Sequence, residues 1–355
     1  MAQTTVASGS DKAQTTATVT DMIDFTGTHE VEENCAEAGG PLSLNACSKN
    51  PGHPQFIPVD EFSEDHVRSV IHKDEHWPVE LVTDLVRCCQ NLVVRINAPF
   101  VSKDRPDGYP FARYRGTRTD KVGSGFVSHS VEALAKPCGC WECKQEKPDA
   151  KENKDKWYSI IDFKVETARH VVFDDAEASQ CEVVFFDNQP SGTGRFTLAG
   201  GWQVDKNHTK NDYCVLYRTT HLVDQGKRLL NFYKTYEDLR FRDHRETNLS
   251  RSPRIPAAVI SHPHGRMKYI TLGHIDALHG TGEEKDRRLL YTVPTCPGSS
   301  GGMVLRLDYW NSIWSQAKPH CSARPKLGNQ GFSVVPSGDF AQPMPALYKK
   351  PVDRL

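Results

Sequence analysis

The chain predicts an all-β fold, a barrel or a sandwich, and three observations lead there. Short strand-like runs recur between turn signals from about residue 91 to residue 335. Glycine (25) and proline (22) are frequent, as a chain with many turns requires. No region alternates strands with helical stretches in the way βαβ units do. The 355 residues suffice for one large β domain or two smaller ones. Lys plus Arg is 44 and Asp plus Glu is 45, a net charge of −1, which gives no electrostatic case for nucleic acid or an anionic membrane as partner. Hydrophobic residues make up 37%, enough for a core, so wholesale disorder is excluded. No run approaches the ~18 apolar residues of a membrane span. The start of the chain has neither the basic nor the apolar region of a secretory signal. The expectation is a cytoplasmic protein with its 11 cysteines reduced.

In chain order, residues 1–57 are rich in Thr, Ala, Ser, Gly and acidic side chains without periodicity, and read as a disordered leader. Residues 58–90 form a helical extension: Pro78 stands at the entry, and the i, i+4 pairs Leu81/Leu85 and Val82/Val86 predict one short amphipathic helix. Asn91–Ile96 is the first strand, opening a β region over 91–225 that includes Gly123–Val127, Trp157–Ile161, Cys181–Phe186 and Asp212–Leu216. Residues 226–254 are dense in Arg, Lys, Asp and Glu and predict a connecting helix with exposed charge. A second β region, 255–335, holds Ala257–Ile260 and Met303–Leu307, and a proline-rich tail covers 336–355.

The sharpest motif is Thr295-Cys-Pro-Gly-Ser-Ser-Gly-Gly302. A hydroxyl flanked by glycines can sit on a tight turn, its Oγ exposed and backbone N–H groups converging on one spot. Gly298-x-Ser300-x-Gly302 fits both the nucleophile elbow of α/β-hydrolases and the Gly-x-Ser-Gly-Gly turn of a second, unrelated class of serine enzyme. Chain order separates them. An α/β-hydrolase needs its acid and base after the serine, yet His320 is the one histidine that follows Ser300. The order His, Asp, Ser is met upstream by His170 in Thr167-Ala-Arg-His170 and by Asp212 in Asn211-Asp212. Asp174, Asp175, Asp187 and Asp205 are alternative acids.

With Gly123-Ser-Gly-Phe-Val127, Ser261-His-Pro-His-Gly265 and Gly273 in the same order, the sequence resembles the chymotrypsin-like serine peptidases. It is most similar to the branch without a zymogen switch, which includes glutamyl endopeptidases and HtrA-type proteases. The resemblance runs from about Leu92 to Val335. It implies a double six-stranded β-barrel, with His170 and Asp212 in the first barrel and Ser300 in the second. Ser300 is then the nucleophile, His170 its base and Asp212 the acid that orients the imidazole. The backbone N–H groups of Gly298 and Ser300 form the oxyanion hole. The substrates are proteins or peptides, and no cofactor is required. Thr295 and His320 match the pocket residues of glutamyl endopeptidases and imply cleavage after Glu or Asp.

Two positions depart from the family pattern. Ser299 stands where the trypsin type carries an acid that pairs with a new N-terminus, so activation by that ion pair is not expected. Arg169 places a cation next to the base. Outside the triad, Cys138-x-Cys140-x-x-Cys143 has a spacing that can hold structural zinc, with Cys181 or a histidine as fourth ligand. The histidines of Ser261–Gly265 read as loop residues. A catalytically silent protease-like domain that binds proteins or peptides is the second reading, favoured if the charged insertion covers the cleft.

Overall fold

In the computed structural model, residues 47, 49–71, 78–135, 140–146, 158–206, 212–221, 223–241, 255–279, 288–307, 318–324 and 330–334 are described. They form two antiparallel sheets. The short β1 (Ile57–Pro58) belongs to the second sheet. The first consists of β2 (Val93–Phe100), β3 (Arg118–Ala135), β4 (Tyr158–Ala168), β5 (Glu182–Phe185), β6 (Phe196–Ala199), β7 (Gln203–Val204) and β8 (Tyr213–Thr220). Its order is β6-β5-β2-β3-β4-β8-β7. The second adds β9 (Ile255–Ser261), β10 (Tyr269–His279), β11 (Arg288–Tyr291), β12 (Met303–Arg306), β13 (Lys318–Arg324) and β14 (Gln330–Val334). Its order is β1-β10-β11-β14-β13-β12-β9, and β9 pairs back onto β10, so six of its strands form a closed ring.

The expectation of two six-stranded barrels needs one correction. The first sheet has seven strands, and among the described residues no pairing joins its edges β6 and β7. The leader needs another: at Cys47 and from residue 49 to residue 57 it is packed, not loose. Cys47, Asn50, His53 and Phe56 are buried, and Ile57 and Pro58 pair with Ile270 and Tyr269 of β10. The physical reason is that a few apolar and hydrogen-bonding side chains suffice to dock an otherwise polar segment on a surface made elsewhere. The tail 336–355 lies outside the described residues.

Strand β9 shows why the sequence reads as it does. Ala257 and Val259 pack inside the closed ring with Ile275, Tyr291 and Val304, whereas Ala258 and Ile260 join the main core with Val94, Ile96 and Val127. Both faces are buried, which demands a nearly continuous apolar run in place of alternation. Helices are few: α1 (Glu64–Arg68), α2 (Val79–Cys89), α3 (Trp141–Glu146), α4 (Asp175–Ala178) and α5 (Val223–Phe241). The predicted amphipathic segment is α2, which buries Val82, Leu85, Val86 and Cys89 on one face. The charged insertion begins as α5, whose Leu229, Tyr236 and Leu239 are buried. Gly226 of α5 abuts Ile161, seven residues or ~23 Å along β4 from Ala168 at the end that leads to His170. The start of the insertion at Gly226 therefore lies well along β4 from His170. No helix among the described residues is long and apolar enough to cross a membrane.

Candidate active site

His170 follows the end of β4, and Asp212 stands immediately before the partner strand β8. The Arg169 N–H donates to the Asp212 carbonyl at 3.0 Å, which continues the β4–β8 ladder by one step and brings the two side chains to the same place. Asp212 has φ +60°, a left-handed conformation that Asp tolerates better than most residues. Its carboxylate accepts the His170 backbone N–H at 2.8 Å, His170 Nδ1 at 2.8 Å and the Tyr109 hydroxyl at 3.4 Å. A proton on Nδ1 leaves Nε2 as the lone-pair nitrogen, the tautomer a general base needs. Burial first, and then the Asp212 charge, raise the Tyr109 hydroxyl well above its ordinary value and keep it a donor. Three of the four rival acids are occupied elsewhere. Asp174 caps α4, Asp175 accepts the Val204 N–H at 2.7 Å, and Asp187 pairs with Arg95 at 3.1 Å.

Beneath His170 lies a buried charge cluster that sequence reasoning missed. Arg105 Nε donates to Glu177 Oε1 at 2.6 Å and Nη2 to Oε2 at 2.7 Å, while Lys121 Nζ reaches Oε2 at 2.6 Å. Arg105 Nη2 also donates to the His170 carbonyl at 3.0 Å. Burial alone pushes the Glu177 carboxyl up, but Arg105 and Lys121 outweigh it and hold it at about 2. Burial and Arg105 push the Lys121 ammonium down to about 8, with Glu177 opposing. Arg169, the cation flagged beside the base, stacks on Phe173, its guanidinium carbon 4.6 Å from the ring centroid.

The loop that carries Ser300 is tied to the first sheet through Ser124 of β3. The Ser124 N–H donates to the Ser300 carbonyl and its hydroxyl to the Gly298 carbonyl, both at 2.7 Å. The Ser124 hydroxyl accepts the His262 N–H at 2.8 Å, and its carbonyl accepts the Thr167 hydroxyl at 2.7 Å. One residue thus ties the serine loop, the end of β9 and the strand that leads to His170. Close approach explains the neighbouring glycines. A Cβ on Gly123 would stand 2.6 Å from Val171, next to His170, and 3.2 Å from the Ser300 carbonyl. At Gly301, whose φ is +84°, a Cβ would stand 2.0 Å from the Ser124 carbonyl oxygen. Gly298 also has a positive φ, so the turn bends sharply on both sides of Ser299 and Ser300. The Ser299 hydroxyl accepts from Ser261 at 3.0 Å and from the Cys296 N–H at 3.3 Å, hydrogen bonds at the position where the trypsin type has an ion pair.

Thr295 and His320 are both buried beside this loop. The Gly301 N–H donates to the His320 carbonyl at 2.6 Å, and the His320 N–H to the Gly302 carbonyl at 2.8 Å. His320 Nδ1 is hydrogen-bonded to the Tyr291 hydroxyl. Lys49, in the segment read as leader, donates to Thr295 Oγ1 at 3.2 Å. Burial, then Lys49 and then His170, push the His320 imidazole down to about 3, with Asp212 opposing. Below an ordinary pKa of ~6.5 the unfolded chain takes up a proton at this residue that the folded chain refuses, so stability falls as pH drops from 6.5 toward 3. We expect a loss of at most ~1.4 kcal/mol per pH unit from this group, and a shallower dependence of Tm on pH between 6.5 and 5 in His320→Gln. Parallel curves for the two proteins would exclude His320 as the source.

Two cysteines of the motif lie beside a histidine. Cys140 Sγ and Cys143 Sγ lie 2.9 and 3.5 Å from Nδ1 of His221, just after β8. Cys138 lies outside the described residues. Cys181, the other candidate for fourth ligand, is buried elsewhere and donates to the Glu177 carbonyl at 3.3 Å, because α4 carries it to the Arg105 cluster. The described cysteines are all free of disulfides.

No family model and no curated protein matches this sequence. Among solved structures, the chain is similar to the Rv3671c protease from M. tuberculosis in its active form. The identity is 15% over 75% of this chain and 85% of that chain, with a TM-score of 0.38. It is similar to Deg5 at 13% identity over 74% of this chain and 91% of that one, TM-score 0.38. It is also similar to the HtrA-type protease AlgW with tripeptide, at 15% identity and a TM-score of 0.36. That match covers 72% of this chain and 60% of AlgW, less than two thirds of its length.

Proposed function

We propose that the chain is a chymotrypsin-like serine endopeptidase. The observation that carries this reading is the His170 Nδ1–Asp212 Oδ2 hydrogen bond of 2.8 Å, formed where a Cβ on Gly123 would crowd both Val171, the residue after His170, and the Ser300 carbonyl. In this reading Ser300 Oγ attacks the peptide carbonyl while His170 Nε2 takes its proton, and Asp212 stabilises the imidazolium. The Gly298 and Ser300 N–H groups receive the oxyanion, the amine leaves with the proton from His170, and water then releases the acid from Ser300.

The pocket chemistry supports an acidic residue before the cut. Thr295 offers a hydroxyl, and Lys49 adds a half-buried ammonium 3.2 Å from it, so a carboxylate would gain a charge-assisted partner. The Cys140, Cys143 and His221 set, with Cys138 completing it, would hold a structural zinc ion that fastens α3 to the end of β8.

The test is digestion of a peptide library at pH 7–8 by wild type and Ser300→Ala. Cuts after Glu or Asp that vanish in the variant are expected. Lys49→Met should lower kcat/KM after Glu by ~10–100-fold and leave cleavage after Gln nearly unchanged, the loss of one charge-assisted hydrogen bond. Equal loss for both peptides would remove Lys49 from the pocket. No cleavage by wild type, together with no labelling by a fluorophosphonate, would favour the silent peptide-binding domain.

A further inference from the structure

Four side chains from three distant parts of the sequence meet beneath the serine loop: Cys47, His53, His264 and Cys296, all buried, their ligand atoms all within 4.8 Å of one another. We propose that they form a second structural zinc site, separate from the Cys140/Cys143/His221 cluster, and that it clasps the N-terminal segment to the turn before Ser300. This inference does not depend on the proposed catalytic activity.

The spacing fits an ion. Zn–S bonds of ~2.3 Å and Zn–N bonds of ~2.0–2.1 Å set tetrahedral edges of ~3.8 Å for S···S, ~3.3 Å for N···N and ~3.6 Å for S···N. Here Cys47 Sγ and Cys296 Sγ are 3.6 Å apart, His53 Nε2 and His264 Nε2 3.1 Å, and Cys296 Sγ and His53 Nε2 3.3 Å. Each edge is within ~0.3 Å of the zinc value. The sulfurs are far from the ~2.05 Å of a disulfide. Binding would displace the two thiol protons to solvent and leave Zn²⁺, two thiolates and two neutral imidazoles, a site of net charge zero that can be buried at little electrostatic cost.

Two N–H donors are aimed at the sulfurs. The Asn50 backbone N–H points at Cys47 Sγ at 3.4 Å, and Asn50 Nδ2 donates to Cys296 Sγ at 3.1 Å and to the Thr295 carbonyl at 2.9 Å. N–H donors to sulfur are the outer contacts that orient cysteine ligands in metal sites. His264 has φ +54° in the short turn Pro263–Gly265, and the same turn's His264 N–H donates to the Pro297 carbonyl at 2.6 Å. The site would therefore fix Lys49 and Asn50 against Thr295 and hold the Pro263–Gly265 turn on the serine loop.

Zinc per chain, measured on the purified full-length protein, is expected to fall by one equivalent in Cys47→Ser and in His264→Ala. In a Cys140→Ser/Cys143→Ser background one equivalent should remain. Cobalt loaded into that background should show a thiolate-to-metal charge-transfer band that disappears when Cys47→Ser is added. Unchanged metal content in both single variants would overturn the proposal. Alkylation mapped on the unmodified sequence gives a second reading that needs no variant: Cys47 and Cys296 should be protected with zinc and reactive after chelation. Equal reactivity before and after chelation, or a Cys47–Cys296 disulfide, would overturn it as well.

Discussion

Asp212→Asn is expected to lower kcat by ~10⁴ while changing KM only a few-fold, about 5.4 kcal/mol of transition-state stabilisation. The carboxylate accepts from both the His170 backbone and Nδ1, and an amide there would present its NH₂ to the ring and favour the tautomer with the proton on Nε2. Such an imidazole cannot take the serine proton. The substitution is chosen because Asn tolerates the left-handed backbone that Asp212 adopts, so it tests the oxygen and not the fold. Thermal unfolding measured alongside should show a loss small enough to leave the protein folded at assay temperature. A variant that keeps more than a tenth of wild-type kcat would sink Asp212 as the orienting acid.

The largest expected effect on stability is at Arg105. Arg105→Met removes three of the donors that satisfy Glu177 and the His170 carbonyl, and it leaves a carboxylate in the core with Lys121 as its remaining side-chain cation in the cluster. Breaking one partner of a buried ion pair costs ~3–5 kcal/mol, because the orphaned charge keeps its desolvation penalty. The pH dependence gives the mechanism away. In wild type the Glu177 carboxyl stays ionised down to about 2, so its contribution is present above the ordinary carboxylate range and is lost as pH falls toward 2. In Arg105→Met its pKa rises, and the deficit relative to wild type should shrink as pH falls from 7 to 4, since protonation then neutralises the orphan. Replacing the trio together (Arg105→Met, Glu177→Leu, Lys121→Met) should recover much of the loss. Urea unfolding at pH 7 and pH 4 measures all three proteins. A deficit under ~1 kcal/mol at pH 7 would mean the cluster relaxes into contact with water.

The amphipathic helix and the strands around Val94, Val127, Val184, Leu216 and Val259 were legible because their signals are local. An i, i+4 apolar face or a β-branched run between turns needs no knowledge of the partner. Strands β10, β11, β13 and β14 were less legible, since His274, Asp276 and Lys318 interrupt the apolar pattern of segments that the closed ring pairs on both sides. Ser300, His170 and Asp212 were candidates by motif and order. What order could not supply was the choice among five aspartates, which the β4–β8 register makes by carrying Asp212 to His170.

The sequence by itself determined the β-rich class, the two β regions and the serine turn, because each is written in contiguous residues and backbone chemistry. The tertiary structure alone decided which distant side chains meet. Arg105 and Glu177 are 72 residues apart, and Cys47 and Cys296 are 249 apart. A polar segment such as Lys49–His53 carries no internal periodicity to announce burial; it is ordered by hydrogen-bonding and packing partners on the second sheet. Contacts of that kind are selected by chain folding, where one loop closure positions many groups at once, and they leave no trace in local pattern.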